Sequence, residues 1–196
     1  MAGQSWEARD LARVAVFAAL IVVLGLMGPI PVPGLPVPVT AQTLGVMLAG
    51  TVLGGRRAGA AVLIVFVLVA IGLPVLAGGR GGLGVFVGPT VGFLLGWLPG
   101  AMVAGWIAHS GRLTWWRVLL GALVGGMVVV YAVGIPLLAL VGGLTLPQAA
   151  LANVAFLPGD AVKVALATIL TLLLYRAYPP AFPASVRARR AARARA

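Results

Sequence analysis

The chain has no cysteine, so disulfide frameworks, thiolate metal sites and thiol nucleophiles are excluded. Acidic residues are nearly as scarce. Three of them, Glu7, Asp10 and Asp160, stand against fourteen basic residues, and His109 is the single histidine. With one acid after Asp10, a catalytic pair of carboxylates cannot share a site in the apolar part of the chain. Ser5, Ser110 and Ser185 fall in flanks or loops, far from any candidate base. No metal-ligating cluster can be assembled, and the phosphate-cradling pattern G-x-x-x-x-G-K-[ST] is absent. These absences argue against an enzyme and against a resident metal or cofactor. If the chain takes part in ATP-driven work, other subunits supply the ATPase.

What the chain has in abundance is apolar surface: 62% of its 196 residues are hydrophobic, 9% are charged, and the mean hydropathy is +1.13. That composition lies well outside the soluble globular range and describes a polytopic protein of the lipid bilayer. The net charge of +11 does not point to nucleic acid, because the basic residues lie between apolar runs and in the tail instead of on a soluble domain. Arg187, Arg189, Arg190, Arg193 and Arg195 crowd the last ten positions, where anionic headgroups are within reach. Residues 1–178 form the expected transmembrane domain, and residues 179–196 an Arg-rich cytoplasmic tail without fixed structure. Arg9 and Arg13 before the apolar run Val14 to Met27 imitate a signal peptide, but Gly28-Pro29-Ile30-Pro31 follows in place of a small-residue cleavage site. The run reads as a retained first span.

A spanning helix takes about 20 apolar residues. Six segments approach that length, near 11–28, 39–54, 58–77, 86–108, 117–141 and 154–175, the second being short. Charge supports the division. Twelve basic residues (Arg9, Arg13, Arg56, Arg57, Arg112, Arg117, Arg176 and the five of the tail) fall in alternate connections, Arg80 alone in the others, and Lys163 inside a span. The positive-inside rule then places both termini in the cytoplasm, and five or seven spans would destroy the alternation. The fold class is an all-α integral membrane protein with six transmembrane helices.

Along the chain, Ala8, Ala12, Ala15 and Ala19 give the first span one nearly smooth face, suited to packing within the bundle or against a separate subunit. The connection from Pro29 to Pro38 cannot be helical, and its apolar character fits either a lid or a plain connector. Thr40, Gln42 and Thr43 open the second span; Thr40 is a candidate cap, and Gln42 needs hydrogen-bond partners from protein or ligand. Gly79 to Gly84 formally fits G-x-G-x-x-G, but neither a preceding strand nor a following acid accompanies it, so a nucleotide loop is rejected. Its glycines still offer backbone amides at close range, and Arg80 is a candidate anion contact. Gly88-Pro89-Thr90 opens the fourth span, in which Gly92, Gly96 and Gly100 form a packing groove. The fifth span carries Tyr131, a candidate cavity or core aromatic, and is expected to bend near Pro136.

Asp160 lies sixteen residues before Arg176, which puts it about 24 Å up a hydrocarbon layer about 30 Å thick. Lys163 lies one turn deeper on the same face. One reading is structural, a carboxylate near a helix N-terminus paired at i+3. The other is a cavity in which Asp160 accepts hydrogen bonds from ligand N–H groups while Lys163 or Arg80 meets a ligand carboxylate. From the residues alone, the candidate binding set is Asp160, Lys163, Arg80, Gly81, Gly82, Gln42, Thr43, Asn153, Phe156 and Tyr131.

At these residues the chain resembles the BioY family, the biotin-binding S components of energy-coupling-factor (ECF) transporters. The resemblance rests on Val37-Pro38-Val39-Thr40-Ala41-Gln42-Thr43, on Gly72-Leu73-Pro74-Val75 with Gly78-Gly79-Arg80-Gly81-Gly82, on Gly88-Pro89-Thr90-Val91-Gly92-Phe93, and on Phe156-Leu157-Pro158-Gly159-Asp160-Ala161-Val162-Lys163. Val91 stands where a second glycine is expected, and Ala155 where proline is. The resemblance implies a six-helix subunit of the bacterial cytoplasmic membrane that captures biotin from outside. It implies as partners a transmembrane coupling subunit and two cytoplasmic ATPases, with Ala15 and Ala19 contacting the coupling subunit. It further implies Asp160 and Lys163 as ligand contacts, with the glycine-rich loop and Gly88-Pro89-Thr90 completing the pocket. From the residues alone, a stand-alone proton-coupled transporter of a small organic anion is the rival.

Overall fold

A computed structural model describes residues 6–31 and 37–194, and within them every regular element is helical. Helix α1 (Ala8–Leu26) starts at a capping box between Glu7 and Asp10. Helix α2 (Gln42–Leu53) turns into α3 (Gly55–Ala70) at Gly54, whose φ of +81° favours glycine. The two helices run antiparallel, since Gln42 at the start of α2 bonds to Val75 and Ala77 just beyond α3. Helix α4 (Val91–His109) follows a 3₁₀ turn, Leu83–Val87. Helix α5 (Trp115–Leu123) passes through a π-helical turn (Val124–Val129) into α6 (Val130–Gly142). After α7 (Leu146–Asn153) and a 3₁₀ turn come α8 (Leu157–Ala177) and a tail helix, α9 (Ala184–Ala194).

Among the described residues, three continuous helical stretches, Val91–His109, Trp115–Gly142 and Leu146–Ala177, are long and apolar enough to cross a bilayer. Helix α2 is short for a different reason. Ten of its twelve residues are buried, so neighbouring helices surround it in place of lipid. Side-chain contacts sort the chain ends into two groups. Asp10 and Arg57 meet at one end of the bundle, where His109 also reaches the Thr51 carbonyl. Gln42, Tyr131 and Asp160 gather at the other.

The fourth-span glycines do pack another helix. A Cβ on Gly92 would lie 2.9 Å from Gly134, one on Gly96 3.0 Å from the Val130 backbone, and one on Gly100 2.6 Å from the Gly125 carbonyl. This brings α4 into backbone contact with α6 and the π turn. The wide turn in the fifth span lies at Gly125 and Gly126, earlier than the expected bend at Pro136, because α4 and Met47 press on those two glycines.

Several boundaries differ from the sequence reading. Helix α3 stops at Ala70 instead of near 77, since Gly72 takes a φ of +96° ahead of Pro74. The connection before Asn153 holds helix α7, announced by the capping box Thr145-x-x-Gln148 with Pro147 in its first turn. Thr40 does not cap α2, whose N-cap is Ala41 without a side-chain bond. The tail is a docked helix, with Phe182 fully buried against Tyr175 and Val186, on the inner face of α9, buried as well. The expected unstructured tail is thereby corrected through residue 194, the limit of the described region.

Asp10 was not singled out by the sequence, yet it is buried and bound by Arg13 at 2.9 Å and by Arg57 of α3 at 2.8 Å. It ties α1 to α3. The α4 packing yields a test: Gly125→Leu should overpack the contact with Gly100 and destabilise the detergent-solubilised protein by about 1–3 kcal/mol. Gly84→Ala, at an open position without positive φ, should leave the melting temperature close to the parent value.

Candidate functional site

The site begins at the N-terminal turn of α8. Pro158 lies in its first two positions and Asp160 in its first turn, where a carboxylate is favoured by the helix dipole. Lys163 follows one turn later and its Nζ donates to Asp160 Oδ1 at 2.6 Å. The Tyr131 hydroxyl, from α6, donates to Asp160 Oδ2 at 2.5 Å. Asn153 is buried nearby, and its Oδ1 has no hydrogen-bond partner among the described residues. Both oxygens of Asp160 are thus engaged, but each keeps a lone pair for another donor, and Lys163 keeps two of its three N–H donors.

Asp160, Lys163 and Tyr131 line a cavity of about 80 Å³. Arg80 overhangs it, held by Nε to the Ala77 carbonyl at 3.2 Å and by Nη1 to Thr90 Oγ1 at 3.3 Å. The three charged side chains sum to +1, one carboxylate against two cations, so the cavity favours an anion. Its walls are apolar and aromatic. Phe93 packs edge-on against Tyr131, with ring centroids 6.5 Å apart, and against Phe156 at 6.1 Å, while Trp97 sits one turn deeper.

Of the predicted set, Asp160, Lys163, Arg80, Thr90, Gln42, Thr43, Phe156 and Tyr131 line this one cavity. Gly81, Gly82, Gly88 and Asn153 lie outside its lining. Gly81 is instead pressed against Leu73, where a Cβ would fall 2.1 Å from the carbonyl oxygen. The Gly79, Arg80 and Gly82 amides bond to the carbonyls of Leu76 and Val69, so these three donors of the loop are used within the protein. The loop's work is to hold Arg80 in place through the antiparallel bridge Leu76 to Arg80.

Gln42 lines the cavity with its polar atoms already committed. Nε2 donates to the carbonyls of Ile21 and Val75, both at 3.2 Å, and Oε1 accepts from the Ala77 amide at 2.9 Å. It joins α1, α2 and the chain leaving α3. Thr43 is the opposite case, a buried hydroxyl with no partner among the described residues. Val37, Pro38, Val39 and Thr40 close one side, anchored by paired hydrogen bonds between Ile30 and Val39 and by Val37 packing on Leu138 and Phe156. The rest of the proline-rich connection, 32–36, lies outside the described residues.

Sequence reasoning missed Phe93, Leu94 and Trp97. Their signal was present: Thr90, Phe93, Leu94 and Trp97 stand at i, i+3, i+4 and i+7, one helical face beside the glycine groove.

This arrangement can be set beside known proteins. A model of the BioY family matches residues 1–180. The chain belongs to the BioY family. It is 51% identical over 178 residues to the biotin transporter BioY of Rhizobium etli, covering 87% of this chain and 95% of that protein. It is also 51% identical over 183 residues to the biotin transporter BioY of Rhodobacter capsulatus, covering 86% and 95%. Among solved structures it is similar to an S-component for biotin from an ECF-type ABC transporter, with a TM-score of 0.83 and 30% identity over 88% of this chain and 95% of the other. The BioY relatives are named as transporters, and the apolar helices agree with a membrane protein.

The Gln42 geometry predicts a structural role. Gln42→Leu would strand the buried Ala77 amide and should destabilise the fold by about 1–3 kcal/mol. A thermal unfolding curve that overlays the parent would refute that role.

Proposed function

We propose that this BioY chain is the substrate-binding S subunit of an ECF-type importer and that its cavity takes biotin. The observation that carries the reading is the Asp160 carboxylate, engaged by Lys163 and Tyr131 at the edge of an aromatic cavity that carries a net positive charge. Biotin has an apolar bicyclic body, a ureido group with two N–H donors and a carboxylate tail. Asp160 can accept from the ureido group, Phe93, Phe156 and Trp97 can enclose the rings, and Lys163 or Arg80 can meet the carboxylate. The resemblance of the whole chain to proteins named biotin transporters supports the same ligand.

Six helical segments correspond to the six spans, with Asp160 near the outer surface and both termini in the cytoplasm of a bacterial cell, as the distribution of arginine favours. A transmembrane coupling subunit and two cytoplasmic ATPases would supply the energy. Ala8, Ala12, Ala15 and Ala19 are all exposed, so they are not used in packing within the bundle. That favours their use as a contact for the coupling subunit. The cavity is smaller than the roughly 300–1,000 Å³ typical of small-molecule sites. Binding therefore requires the segments 37–43 and 76–90 to part and re-form around the ligand.

Equilibrium binding to purified, detergent-solubilised protein tests the ligand, with riboflavin, thiamine and desthiobiotin as comparators. Biotin should bind selectively without nucleotide; no binding by folded protein would overturn the proposal. Asp160→Asn and Lys163→Ala should each weaken binding by roughly tenfold or more, as expected for loss of a charge-assisted hydrogen bond. Tyr131→Phe should cost less, about three- to tenfold, because a neutral donor is removed. Ala15→Trp or Ala19→Trp should block copurification with the coupling subunit while sparing biotin binding, and an intact complex from either variant would count against that contact.

A further inference from the structure

We propose that the end of the bundle opposite Asp160 carries a binding site for the phosphate of an anionic phospholipid headgroup, built by Arg112, Arg176, Arg189 and Arg190. The site is a cavity of about 340 Å³ where the docked tail helix α9 meets the start of α5 and the end of α8. It lies beyond the biotin cavity in every respect: no residue is shared between the two linings. It also depends on α9, which lies after the residues matched by the family.

Four guanidinium groups line this cavity and no carboxylate does. Among the described residues the ion pairs use Asp10 with Arg13 and Arg57, and Asp160 with Lys163, so no acid neutralises the four. Like charges gathered around one cavity call for an anion. Two of the four are held in place. Arg189 Nη1 donates to the carbonyls of His109, at 3.1 Å, and Gly111, at 2.6 Å, while Arg190 donates to the Tyr175 carbonyl and lies over that ring, 5.0 Å from its centroid. Each bond occupies one nitrogen of a group with five N–H donors, leaving the rest of the fork for phosphate oxygens. The side chains of Arg112 and Arg176 are exposed and make no hydrogen bond within the described residues.

The depth of the cavity favours a lipid over a solute. Trp115 lines it and is 63% exposed, and Trp106, Trp116 and Tyr178 are exposed at the same end of the bundle. Exposed Trp and Tyr mark the headgroup level of a bilayer. Leu172 and Val186 add an apolar wall, suited to the glycerol and first acyl carbons. Phe182 and Val186 hold α9 down, so the site is formed before any anion arrives.

The test titrates delipidated protein with dioctanoyl-phosphatidylglycerol, read by Trp fluorescence, against dioctanoyl-phosphatidylcholine, glycerol 3-phosphate and inorganic phosphate. Phosphatidylglycerol should saturate at one molecule per chain. Arg112→Gln combined with Arg176→Gln should weaken it by roughly tenfold or more, the loss expected for charge-assisted hydrogen bonds. Arg9→Gln combined with Arg56→Gln removes equal charge outside the cavity and should leave binding unchanged. Equal loss in both double variants, or equal affinity for phosphatidylcholine, would overturn the site in favour of diffuse attraction. Equal affinity for glycerol 3-phosphate or phosphate would overturn the lipid assignment in favour of a soluble anion. Melting temperature and biotin binding report folding; if the Arg112/Arg176 variant melts lower, Arg176→Gln alone carries the same expectation and the same overturning result.

Discussion

The close approach of α4 to α6 and the π turn is the constraint on which the rest of the structure depends. In lipid there is no hydrophobic drive between helices, so backbone contact at small residues must supply the packing. Gly92, Gly96, Gly100 and Gly125 supply it here. The ring of Phe93 lies over Gly134, where a Cβ would come within 2.4 Å of it, and Tyr131 stands one residue beyond Val130, which rests on Gly96. The helix contact therefore sets both the aromatic wall and the position of the hydroxyl that reaches Asp160. A site assembled across two helices keeps its geometry only if their separation is fixed.

The site charges are weak sources of stability. Removing a carboxylate and an ammonium from water costs several kcal/mol per ion, and their attraction repays this only with good geometry and further hydrogen bonds. Lys163 and Asp160 meet at 2.6 Å with Tyr131 as the added donor, which is the arrangement that offsets the cost. Substitution of one partner alone leaves the other uncompensated. The residues are better explained by what they present to the cavity than by what they add to the fold.

Much of this was legible in the sequence because charge is so rare in it. Asp160, Lys163 and Arg80 stood out against an apolar background, and the alternation of arginine divided the chain into segments that correspond to helices in the structure. Gln42 stood out too, but the sequence could not say whether protein or ligand would satisfy it; three backbone groups from distant segments do so. Phe93 and Trp97 were hidden because an aromatic in an apolar helix carries no local sign of facing a cavity. The glycine-rich loop was read as a donor of amides, whereas the Gly79, Arg80 and Gly82 amides close on carbonyls of Leu76 and of Val69 in α3, a pairing set by φ angles that composition does not reveal. Docking of α9 depended on Phe182 and Val186 finding Tyr175, a tertiary contact outside the reach of local pattern.

The two buried aspartates show why only one of them is suited to a ligand site. Each is held by a cation three residues on along its own helix, Arg13 or Lys163, and by a donor from another helix, Arg57 or Tyr131. At Asp10 both partners are guanidinium groups and the Glu7 amide also donates, so the carboxylate is surrounded by two positive charges, and it lines neither of the two cavities described above. At Asp160 the second donor is a neutral phenol, which orients the carboxylate without overwhelming its charge. Its pair with Lys163 is locally neutral, and both groups face an enclosed space with bonding capacity left over. The same local device thus ties α1 to α3 at one end of the bundle and presents an acceptor and a cation at the other, and the difference between the roles is the identity of one interhelical donor.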